Sequence, residues 1–137
     1  MQNFQTLTNY IPLLNNDNIG SWVVDDKNDG TKESPIQLPF VNYTTLINHF
    51  IEDVLSFCEE NKEYNLNQYR SILQKNNIEW DLKSMSNCDL KGKDTQCILA
   101  LIVGAVRAEK FCDGALLHFT NNGCIKKWLI KLTELNK

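Results

Sequence analysis

Apolar residues recur three and four apart over most of the chain, the pattern of helices that bury one face. From 43 to 58, Leu46, Ile47, Phe50, Ile51, Val54, Leu55 and Cys58 keep this spacing and predict a long helix. It ends in the solvated run Glu59-Glu60-Asn61-Lys62-Glu63. Before it, Leu7, Tyr10, Ile11 and Leu14 share a helical face over 4–15, but Pro12 carries no amide hydrogen and predicts a short or restarted helix. After it, Asn65-Leu66-Asn67-Gln68 has the spacing of a capping box, with Asn65 as cap and Gln68 at the third position. A short helix through Tyr69, Ile72 and Leu73 follows and stops near Asn76-Asn77. Trp80 and Leu82 anchor the next stretch, which runs out in the polar SNCDLKGKDTQ.

The densest apolar pattern lies at 94–111. Asp94 is the expected cap, and Ile98, Leu99, Leu101, Ile102, Ala105 and Val106 cover more than one face, which predicts a central helix. Ala100, Gly104 and Arg107 line another face. Gly104 costs about 1 kcal/mol of helix propensity relative to Ala, so a close-packed neighbour is expected there. Asp113-Gly114 reads as a break and restart, with Asp113 capping a short helix that carries Leu116, Leu117 and Phe119. Asn122-Gly123 is a left-handed helix stop. The last helix starts at Cys124 or Ile125 and places Ile125, Trp128, Leu129, Leu132 and Leu135 on one face. The short linkers predict a compact C-terminal helical unit over 94–135.

One segment breaks the helical period. In 20–42, Trp22-Val23-Val24 reads as a strand, Asn28-Asp29-Gly30 as a turn, and Ile36 to Val41 as a returning strand that Pro35 and Pro39 restrict to an edge. The expected fold is therefore mostly α: a single compact helical domain over 1–137, with five to six helices and a small β-hairpin or ordered-loop insert after the first. Its core comes from the helices at 43–58, 94–111 and 124–135.

Length and composition narrow the picture. A chain of 137 residues, 42% hydrophobic and 23% charged, is ordinary for one globular core and needs no metal or disulfide. The net charge of −3 gives no long-range pull toward phosphate backbones, so no nucleic-acid partner is expected. The nearest basic cluster, Lys126, Lys127 and Lys131, reads as solvated residues on the last helix. The five cysteines are odd in number and form no CxxC pair. The N-terminal MQNFQTLTNY lacks a basic region followed by an apolar run, and the apolar stretch Ile98–Val106 is too short to span a bilayer. The expected compartment is the cytoplasm, with reduced thiols and no membrane contact.

Arg107-Ala108-Glu109-Lys110-Phe111-Cys112-Asp113-Gly114 departs from plain helix logic, because it sets charged groups directly after the most apolar helix. Such groups must be paired or reach water. Three readings stand. In one, Arg107 or Glu109 bonds to free backbone groups at the turn and Asp113 caps the next helix. In another, Arg107, Glu109, Asp113 and His118 line a pocket. In the third, the segment is an ordinary solvated face. The segment CILALIVGAVRAEKFCDGALLHFTNNGCIKKWLIKL resembles the C-terminal hallmark of domain-of-unknown-function family 6508, a group of uncharacterised bacterial and phage proteins. The matching positions are Arg107, Glu109, Phe111, Gly114 and Gly123, with Ala108 where the family often has Gly. Tyr10, Trp22, Val41, Tyr43 and Tyr69 match more loosely. The resemblance implies one helical domain and no particular activity.

Known chemistries find little to use. His49 and His118 are the only histidines, with no HExxH and no Cys spacing for zinc, so no metal or other cofactor is expected. Cys112 beside Asp113 reads as a plug for the turn rather than a nucleophile. DDKNDG matches a calcium loop at Gly30 but has Ile36 where the bidentate Glu belongs, so it reads as a solvated turn. No phosphate-binding or hydrolase motif occurs. The first functional expectation is a non-enzymatic protein-interaction or accessory factor. It would use Trp22 and Phe40 of the insert or a C-terminal helix face, toward a protein partner or a second copy. The alternative is a small-molecule or peptide binder, or a hydrolytic enzyme, built on Arg107, Glu109 and Asp113.

Overall fold

The computed structural model of the protein describes residues 4–14, 19–23 and 40–135, with Phe40 described by its backbone alone. Among these residues the order is α1 (Gln5–Thr8), β1 (Gly20–Val23), β2 (Phe40–Tyr43), α2 (Thr45–Glu60), α3 (Tyr69–Lys75), α4 (Leu82–Asn87), α5 (Thr95–Ala108), α6 (Ala115–Asn121) and α7 (Cys124–Leu135). Two short 3-10 turns, Lys62–Tyr64 and Leu66–Gln68, join α2 to α3. The fold is mostly α, with a small antiparallel strand pair after the first helix. The seven helices exceed the expected five to six because α4 has too few apolar residues to show a period. Asp81 starts it by accepting a 2.6 Å hydrogen bond from the Ser84 amide, and Met85 is its buried residue.

Helix α5 is the axis of the core. It is buried from Cys97 through Val106 and packs against α2, α3, α6 and α7. Its high apolar content requires partners on every side. Asp94 caps it, its carboxylate accepting from the Cys97 amide at 2.9 Å. Gly104 admits side chains rather than a bare helix face. A Cβ there would lie 3.1 Å from the Met85 methyl and 3.4 Å from the Trp80 ring. Trp80 Nε1 then donates to the Gly104 carbonyl at 2.9 Å, which satisfies the indole as it packs. Tyr10 ties the N-terminal turn to α2 by donating to Asp53 Oδ2 at 2.5 Å.

Two local expectations are corrected. Asn65 adopts a left-handed conformation, φ 53°, and makes no capping bond, so the capping box does not form and the chain takes a 3-10 turn instead. Asparagine tolerates this region better than most residues. Gly114, at φ 90°, occupies the cap position of α6, so Asp113 does not cap it. The described second strand is Phe40–Tyr43; residues 36–39 of the expected returning strand lie outside the described residues. Pairing places Gly20 opposite Tyr43, Trp22 opposite Val41 and Val23 opposite Phe40. A side chain at Gly20 would press on the Asn42 carbonyl at 2.8 Å, so the strands approach closely only because that residue is glycine. The Asn28-Asp29-Gly30 turn, Pro35, Pro39 and the calcium-like DDKNDG lie outside the described residues.

Candidate functional site

The chain leaves α5 through a tight turn that brings Glu109 beneath the start of α6. An α6 without a side-chain cap of its own leaves its first amides unsatisfied, and the Glu109 carboxylate takes them. Oε2 accepts from the Gly114 amide at 3.0 Å and Oε1 from the Leu116 amide at 2.9 Å. Tyr43, at the end of β2, completes the arrangement. Its hydroxyl donates to Glu109 Oε1 at 2.5 Å and accepts from the Leu117 amide at 3.0 Å. Burial, then the bond to the carboxylate, hold this phenol well above its usual range. A negative charge at a helix N-terminus is also favoured by the helix dipole.

The strand pair docks at the same turn through a second contact. A Cβ on Gly114 would collide with the Trp22 ring. Trp22 thus lays one edge on Gly114 while staying 50% exposed. Tyr43 and Trp22, on paired strands, fix the α5–α6 turn from two sides.

The four polar residues singled out from the sequence do not share one pocket. Glu109 is engaged with backbone and Tyr43. Arg107 is half-buried and lines a cleft with Lys62, Asn65 and Cys58. Asp113 and His118 are exposed and border a different depression. His118 Nε2 lies 3.4 Å from Ser86 Oγ and 3.2 Å from Asn122 Nδ2. Among the described residues no three His, Cys, Asp or Glu side chains gather as a metal set. All five cysteines are free thiols. Burial pushes the Cys97 thiol up to about 11, and raises Cys58 and Cys88 as well. Cys112 is exposed.

The depression at Asp113 and His118 measures about 520 Å³ and has Trp22 as one wall. A second, of about 250 Å³, is walled by Trp80, Met85, Phe111 and Phe119. The two share Leu82, Cys112 and Ala115, so they adjoin on one face of the molecule. Phe111 stands at the edge of the smaller one, 77% exposed, with its ring edge-on to Trp80 at 5.7 Å between centroids. Arg70 covers the Trp80 ring at 4.2 Å. Asp81 and Asp113 supply the carboxylates of the rim. The sequence reading placed Trp22 on an interaction surface but gave Phe111 and Trp80 no such role. The available signal was a large aromatic outside the helical period, between Lys110 and Cys112. The side chain of Phe40 lies outside the described residues.

Lys126, Lys127 and Lys131 line a shallow groove with Lys91 and Ile130, where Lys131 pairs with Glu134 at 3.9 Å. No described helix is long and apolar enough to cross a membrane. Neither the curated proteins nor the solved structures contain a match to the chain. The model of the Family of unknown function (DUF6508) matches residues 1–137, and the chain belongs to that family.

Proposed function

From that membership, which brings no activity with it, we propose that the protein is a non-enzymatic accessory factor of the cytoplasm. It docks a segment of a partner protein across the two adjoining depressions between Trp22 and Phe111. The observation that carries this reading is Phe111. A phenylalanine left in water forgoes about 1.5–3 kcal/mol of burial, yet this ring is held out beside a ready-made apolar notch. Exposed aromatics around a concave apolar floor are the usual anchors of protein interfaces. The rim carboxylates of Asp81 and Asp113 favour a partner segment with a large apolar side chain flanked by lysine or arginine. Glu109 is already engaged by two amides and the Tyr43 hydroxyl, a structural role in the turn.

Selection of random displayed peptides on the folded protein tests this. Enrichment of an apolar residue beside a basic one is expected. Phe111→Ser and Trp22→Ser should each weaken the selected peptide about tenfold or more, while Phe111→Ser changes stability by less than about 1 kcal/mol. Peptides that bind Phe111→Ser as well as the parent protein, or selection of no motif, would overturn the reading.

A further inference from the structure

The cleft that holds Arg107 is separate from the aromatic depressions and has a different chemistry. It encloses about 740 Å³ between the end of α2, the two 3-10 turns and α5. Its floor is apolar, from Leu55, Leu66 and Val103, and its polar lining is rich in donors: Arg107, Lys62, Asn65 and Asn67. Glu59 is the one carboxylate in that lining, so the lining carries a net positive charge. No described carboxylate lies within ion-pair distance of Arg107, and its guanidinium makes no hydrogen bond to any described residue. A half-buried guanidinium with no partner among the described residues keeps its planar fork of donors open to a bidentate oxyanion, whose geometry it matches. No described hydrogen bond or ion pair uses it: α5 is capped by Asp94, and the turn that follows is held by Glu109.

We infer that this cleft binds the oxyanion of a small organic molecule, a carboxylate or a phosphate, on Arg107 and Lys62, with the apolar part of the ligand on Leu55, Leu66 and Val103. The site is independent of those depressions, so its test stands apart from that of the docking reading. Arg107 supplies a bidentate fork, Lys62 a mobile charge, and the Asn65 and Asn67 amides complete the donor set.

Titration of the full chain with inorganic phosphate and, separately, with hexanoate decides the matter, read on the Arg107 Nε–H and asparagine side-chain resonances in nitrogen-15 spectra. Saturable shifts of Arg107 with at least one anion are expected. Hexanoate binding tighter than phosphate identifies an organic carboxylate as the ligand class, and the reverse order identifies a phosphate. Arg107→Gln should weaken binding about tenfold or more, Arg107→Lys less, and Phe111→Ser not at all. Lys62→Gln, at an exposed position, provides a second variant whose folding is not in question, and it should weaken binding as well. Absence of saturable shifts with both anions, or unchanged affinity in Arg107→Gln and Lys62→Gln, overturns the inference.

Discussion

Glu109 illustrates how a charged residue after a buried helix can serve the fold. Its two oxygens meet two amides that α6 leaves free, and Oε1 also accepts from the Tyr43 hydroxyl. Gly114 is its counterpart. It is held at φ 90° and lies under the Trp22 ring, so any side chain there is both strained and obstructed. Gly114→Ala is expected to lower the unfolding free energy by about 1–3 kcal/mol in urea titrations. Wild-type stability in that variant would mean that Trp22 does not rest on the turn.

At the scale of elements, α5 was legible because its apolar residues are continuous, and Asp94 marked its start. α2 and α7 were legible from their single apolar faces. The α5–α6 turn was legible as a break, but its fastening was not. Tyr43 and Glu109 are 66 positions apart, and no local pattern links a tyrosine at a strand end to a carboxylate after a distant helix. Helix α4 and the exposure of Phe111 escaped for the related reason that a period shows what is buried, not what is left out. The burial of α5 also has a pH signature. Cys97 titrates near 9 when unfolded and is pushed up to about 11 when folded, so the folded state holds its proton more tightly. Stability is then fully present below pH 9 and falls as pH rises from about 9 to about 11. The raised phenols of Tyr10 and Tyr43 extend the loss to higher pH. Chemical denaturation across that range should show the decline, and Cys97→Ala should flatten its first part. A flat profile in the parent protein would contradict the buried thiol.

At the scale of the molecule, two described surfaces carry the functional proposals. One is the pair of adjoining depressions at Trp22 and Phe111, the other the cleft at Arg107. Of the five hallmark positions, Glu109, Gly114 and Gly123 serve turns and caps, with Gly123 at φ 82°. Arg107 and Phe111 are left facing solvent or a cleft. Both proposed sites presuppose this division, and above all that Glu109 belongs to the fold. The direct test is the unfolding free energy of Glu109→Ala. Loss of a carboxylate that satisfies two amides and a half-buried phenol should cost about 2–4 kcal/mol. A change below about 0.5 kcal/mol would free Glu109 from the fold and contradict the account.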